Sequence, residues 1–202
     1  MTPLLSVVGG PTFDADGPRI ALVGDVRDVV DALDAAPREG LDARVLGAPL
    51  PSRRVGVARR GAPVFADLSP VEHVAWAARL AGSSAADARA RARRACEAAG
   101  IAGARTCSSL EPPRARLLPV VVAVVTDPDV LVCEGLLDDV DRVWAAHLLD
   151  ALVALVGDKS AVLTVSSIAD DGARRDLVLG CDQVYVLDGA AATRWHAPED
   201  PA

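Results

Sequence analysis

The sequence predicts an α/β domain: a parallel sheet flanked by helices, with a helical subdomain inserted between its strands. Three observations predict it. Short apolar runs of strand length alternate with longer segments of helical period at both ends of the chain. The stretch from about 70 to 126 carries only helical signals. No repeat or low-complexity linker divides the 202 residues, a length that suits one domain spanning 1–202 with an adequate core.

In chain order, Ile20–Gly24 reads as a buried strand, and Val26, Val29, Val30 and Leu33 follow at helical spacing. Ala43–Leu46 and Val55–Ala58 are short strands. Ser69-Pro70-Val71-Glu72 is a capping box with proline at the first helical position, so a helix starts there. A second helix, rich in Ala and Arg, runs from Ser84 to Ala99 and stops at Gly100. Leu117–Val125 (LLPVVVAVV) is β-branched and reads as a strand on propensity, while Pro112 and Pro113 suit a helix start just before it; helix and strand both stand. Val130–Cys133 is a buried strand. Val140, Val143, Trp144, His147, Leu148, Ala151, Leu152 and Leu155 form the apolar stripe of a long helix. Ala161–Val165 and Gln183–Leu187 are further strands, and the tail 196–202 is expected to fray.

Composition excludes several roles. The longest uncharged apolar run, Leu117–Val125, is far short of the ~20 residues of a membrane span, and Met1–Gly10 has no signal-peptide pattern. A net charge of −7 argues against nucleic acid. Cys96, Cys107, Cys133 and Cys181 show no metal-ligand spacing and read as reduced structural thiols of a cytoplasmic protein. Lys159 is the only lysine and follows no glycine-rich turn.

Five landmarks in order then resemble an ABC-transporter ATP-binding domain. The first is Ile20–Gly24 followed by Asp25-Val26-Arg27-Asp28-Val29-Val30-Asp31, where the family carries its phosphate loop. Gly24 matches the first glycine, but Val30 stands for the lysine and Asp31 for the magnesium-holding hydroxyl. Asp25 and Asp28 add carboxylates, and Arg27 is the one cation on the turn. The second is Val55–Val74, similar to the Q-loop and the helix after it, with Arg60 in place of the glutamine and His73 as a structural histidine. The third is Leu110-Glu111-Pro112-Pro113-Arg114 at the signature motif, where proline cannot donate a backbone N–H to a phosphate. The fourth is Asp127–Asp141. In frame, Glu134 replaces the magnesium-site aspartate and Gly135 the catalytic glutamate. A one-residue slip instead makes Glu134 the glutamate and Cys133 the missing aspartate. Asp141 matches the D-loop aspartate and serves equally as a helix cap. The last is Thr164–Ser167, with Ser166 at the switch histidine, followed by Cys181–Gly189.

The resemblance covers about 19–195 and implies a P-loop NTPase-like (RecA-like) fold. It also implies an N-terminal β-subdomain, expected to be truncated, with Phe13 as a weak base-stacking candidate. The family uses ATP and magnesium. With its ligating groups replaced, neither is expected here, and the implied role is a non-hydrolysing subunit that supports or regulates a transporter. Its partners would be a membrane subunit or another ABC ATPase subunit, at the inner face of the cell membrane, with a dimer allowed. Arg53, Arg54, Arg59 and Arg60 lie where the family receives the membrane subunit and could meet acidic groups there. Two alternatives remain: an unorthodox ATPase using Arg27 and Glu134, and an unrelated α/β protein binding a small molecule at the strand ends.

Overall fold

A computed structural model describes residues 3–7, 12–14, 19–24, 43–45, 48–49, 54–157, 160–165, 181–188 and 191–194. The helical pattern expected after Gly24 and the tail after 195 lie outside them.

Among the described residues ten strands form two sheets. β1 (Pro3–Val7), β2 (Thr12–Asp14), β4 (Ala43–Val45) and β5 (Ala48–Pro49) make an antiparallel sheet in the order β2-β1-β4-β5. Phe13 sits on β2 opposite Leu5. The second sheet has six strands, β10-β9-β3-β8-β7-β6. β3 (Arg19–Val23), β6 (Val55–Ala58), β7 (Val130–Glu134), β8 (Ser160–Val165) and β9 (Gln183–Asp188) run parallel, and β10 (Ala191–Arg194) closes the edge antiparallel to β9. Ile20, Ala21, Leu22 and Val130–Cys133 are almost wholly buried. Strands covered on both faces read as unbroken apolar runs, which is why they were visible in the sequence.

Between β6 and β7 the chain is helical. α1 (Pro70–Leu80) begins on the expected capping box: Glu72 N–H donates to Ser69 Oγ (3.3 Å) and Ser69 N–H donates to Glu72 Oε2 (3.0 Å). α2 (Ala85–Ala98) buries Ala88, Ala92 and Cys96 at four-residue spacing, small side chains that let it lie close along α1. It ends where Gly100, at φ +66°, donates to Glu97 O while Ile101 donates to Cys96 O, the pair of bonds that closes a helix on a left-handed residue. A short helix, α3 (Pro112–Ala115), leads through Arg116 into α4 (Leu117–Val125).

α4 resolves the ambiguous segment. It is a helix despite its β-branched content, because six of its nine residues are buried against α1, α2, α5 (Arg142–Val156) and β6. Helical packing on every side outweighs a propensity difference of roughly half a kcal/mol per residue. Pro119 falls in the first turn, where a missing N–H costs least.

α5 corrects one expectation. Its buried face is Ala145, Leu148, Leu149, Leu152 and Val156, whereas Val143 is 66% exposed and His147 is also exposed. The helix is apolar nearly all round, so spacing alone does not single out the side that faces the core.

His73 holds the loop after β6 onto α1. Its Nδ1 accepts from Phe65 N–H (3.4 Å), and the Phe65 ring packs edge-on against the imidazole at 5.6 Å. Burial lowers the His73 pKa, so the fold prefers the neutral ring. The unfolded chain takes up a proton below about pH 6.5. The stabilising contribution is therefore complete above that value and is lost as pH falls through the lower folded value. The melting temperature is expected to drop between about pH 7.5 and 5.5, and His73→Asn, which keeps an acceptor but does not titrate, should flatten that drop.

Candidate functional site

The register of the large sheet brings the sequence landmarks to one edge. Ala58 pairs with Cys133, Glu134 with Thr164, and Val23 with Val165. Arg59 and Arg60 therefore leave β6 beside Glu134 and Gly135 at the end of β7, and Gly24 leaves β3 two strands away, at the carboxyl ends where open α/β sheets bind ligands. Gly24 is half-buried with φ +129°. Asp25, Arg27, Val30, Asp31 and Ser166 lie outside the described residues.

A cleft of about 260 Å³ opens at this edge, lined in part by Arg59, Arg60, Pro112, Arg116, Glu134 and Gly135. Its mouth is held by an internal ion network. Arg60 Nη1 donates to Asp138 Oδ2 at 3.2 Å and Arg60 Nη2 donates to Asp139 Oδ2 at 2.8 Å. Asp138 is only 6% exposed, so its carboxylate relies on such partners. The hydrogen bond to Asp139 is the largest cause of a raised Arg60 pKa, which keeps the guanidinium charged throughout. From the other side, Arg116 Nη1 donates to the carbonyls of Gly135 (3.3 Å), Leu136 (3.5 Å) and Asp138.

These contacts fix a tight turn. Gly135 has φ +61° and Asp139 φ +55°, both left-handed. A Cβ on Gly135 would lie 2.9 Å from Asp138 Oδ2 and 3.2 Å from Arg60 Cδ. Gly135 is thus packed against the Arg60–Asp138 pair, with no room for a side chain.

The other sequence candidates have local roles. Glu134 is half-buried and lines the cleft. Cys133 is wholly buried, and burial pushes its thiol up to about 12, so at neutral pH it is no anionic counterpart of an aspartate in the slipped register. Asp141 caps α5, accepting from Trp144 N–H at 2.9 Å. Glu111 precedes α3, Pro112 and Pro113 open it, and Glu111 faces Arg114 at 3.6 Å. Arg54 pairs with Asp127 at 3.1 Å, and its N–H donates to Asp129 Oδ2. Arg54 and Arg60, expected to be available to acidic groups of a partner, are thus engaged with carboxylates of their own chain; Arg53 lies outside the described residues. Neither the role of Arg116 nor the pairing of Arg60 with Asp138 is legible in the linear pattern. The nearest signal is the acidic doublet Asp138-Asp139 within Asp127–Asp141. Among the described residues no group of three His, Cys, Asp or Glu side chains could hold a metal ion, and no helix is long and apolar enough to cross a membrane.

The parallel sheet, the helices inserted between β6 and β7 and the cleft at the strand ends define the class as an α/β fold, a parallel sheet carrying an inserted helical segment. A solved structure with this fold is that of cbiO1 from Clostridium perfringens, described as part of the ABC transporter complex cbiONQ. It matches with a TM-score of 0.71 at 12% identity over 96% of this chain and 88% of that one, a likeness of fold. No protein-family model and no curated protein matches the sequence.

Proposed function

We propose that this chain is a non-hydrolysing ABC ATPase-like subunit, one domain over 1–202 with its helical subdomain at about 70–126, acting as a structural or regulatory partner of an ABC transporter. The observation that carries this reading is the Arg60–Asp138–Asp139 network closed over Gly135. By the resemblance, Arg60 and Gly135 correspond to the family's glutamine and catalytic glutamate, which meet metal and water there. The residues present do not fit magnesium-ATP. The phosphate-loop lysine is Val30 and the hydroxyl residue is Asp31, and each charge-assisted hydrogen bond so lost costs about 1.5–3 kcal/mol. The signature counterparts Pro112 and Pro113 donate no N–H to a phosphate. No nucleotide or metal is therefore part of the proposed function.

A partner surface supports the structural role. Phe65 (60% exposed), Trp76 (55%) and Leu80 (80%) are large apolar side chains at the loop after β6 and on α1, with Phe65 and Trp76 in ring contact at 6.4 Å. Such exposed apolar groups mark interaction sites on soluble proteins. In the resembled family this neighbourhood receives the membrane subunit, which would hold the chain at the inner face of the membrane; a second ABC ATPase subunit is the other partner, and a dimer follows from it.

Purified protein is expected to hydrolyse ATP no faster than background, and magnesium-ATP at millimolar concentration should leave its melting temperature unchanged, since a ligand that does not bind the fold does not stabilise it. Activity that Glu134→Gln abolishes, together with a rise of several degrees, would instead favour the unorthodox ATPase, whose support is the half-buried Glu134 on the cleft.

A further inference from the structure

A second concavity shares none of the arginines of the cleft. It lies between the C-terminal end of α2 and the exposed side of α5 and measures about 480 Å³, within the range of small-molecule sites, roughly 300–1,000 Å³. Its existence follows from α5. An α-helix that is apolar nearly all round has a second face to cover, and here Ala98, Ala99 and Leu117 meet that face only partway, leaving Trp144 and Ala151 along an open groove.

Two opposite charges mark the groove. Arg114 sets its guanidinium 6.0 Å from the centre of the Trp144 ring. Its ion pair with Glu111 is long, 3.6 Å, between two side chains that are both more than half exposed. A charge-assisted hydrogen bond is shorter, about 2.7–2.9 Å, so an incoming carboxylate competes with Glu111 at small cost. Asp150, also lining the groove, is six residues beyond Trp144 on α5, which is about 9 Å along the helix axis. Between them His147 stands edge-on to Trp144 at 5.8 Å. A cation at one end, an anion fewer than two turns along α5 and the apolar side chains of Trp144, Leu117 and Ala151 on the lining match a ligand with the reverse polarity.

We propose that the groove between α2 and α5 binds a small dipolar amphiphile, with its carboxylate on Arg114, its apolar body along Trp144, Leu117 and Ala151, and its ammonium on Asp150. This holds whether or not the chain handles ATP.

The probes are 8-aminooctanoate, whose extended chain spans a comparable distance, and the singly charged octanoate and octylamine, each titrated calorimetrically into the full chain. The dipolar probe should bind tighter than either by about 1.5-fold to fivefold, the effect of one exposed ionic contact. Arg114→Gln should reduce it to the affinity of octylamine while leaving octylamine itself unchanged. Asp150→Asn should reduce it to the affinity of octanoate while leaving octanoate unchanged. Both side chains are exposed, and circular dichroism of each variant verifies its fold. Equal affinity for the three probes, affinities indifferent to both substitutions, or no saturable binding of the dipolar probe would each overturn the proposal.

Discussion

Gly135→Glu, which writes a glutamate where the proposed resemblance would put the family's catalytic one, is expected to destabilise the protein and to yield no ATPase. The backbone there has φ +61°, a conformation that costs a residue with a Cβ about 1–2 kcal/mol. The new Cβ also lands 2.9 Å from Asp138 Oδ2. Real Cβ atoms do not come so close, so Asp138 must move and its bond to Arg60 must break or rotate. Asp138 is almost fully buried, and weakening its pairing adds about 1–2 kcal/mol. The total, about 2–4 kcal/mol, corresponds to a fall in melting temperature of roughly 5–15 °C for a domain of this size. Gly135→Ala separates the contributions, since it carries the backbone and Cβ costs without the carboxylate. Thermal melts of both variants, with ATP turnover measured on Gly135→Glu, test the account. A glutamate variant that melts with the parent and turns over magnesium-ATP would show that the turn accommodates the family's chemistry.

Much of this was legible in the sequence because local physics and tertiary structure agree. β3 and β7 are buried on both faces and spell themselves as apolar runs. Ser69 and Glu72 cap α1 through bonds spanning three residues, and Gly100 is required by the left-handed end of α2. Where local and tertiary preferences disagree, the residues alone mislead. Leu117–Val125 has strand propensity and is a helix, because α4 is packed on all sides and the order of landmarks carries more information than its β-branched content. The buried face of α5 was displaced from the expected stripe because most of its residues are apolar, so periodicity barely distinguishes core from groove. Arg116 was invisible for another reason. Its carbonyl acceptors lie 19–22 residues away and are defined by the turn after β7. Nothing in a linear pattern says which of many arginines reaches such a turn. The bond between Arg60 and Asp138, 78 residues apart, is likewise set by the fold and by no linear pattern.

Arg116→Met should be the more damaging of the two arginine losses at this turn. Arg116 is half-buried and gives one guanidinium nitrogen to three carbonyls of buried residues. Truncating it leaves those acceptors without that donor, at about 2–3 kcal/mol. Arg60 is 52% exposed and its second partner, Asp139, is 75% exposed; solvent screens that half of the network, and Arg60→Met should cost about 1–2 kcal/mol, most of it from Asp138. The two differ in salt dependence as well. The Arg60 contribution joins full charges near solvent and should shrink at high ionic strength, while the Arg116 bonds to neutral carbonyls persist. Because both arginines hold the same five-residue turn, the double variant should fall short of the summed single effects by about half a kcal/mol or more. Denaturant melts of the four proteins at low and high salt measure these differences. Strict additivity, with an Arg60 effect unmoved by salt, would mean that the turn keeps its left-handed shape unaided and that the arginines merely rest against it.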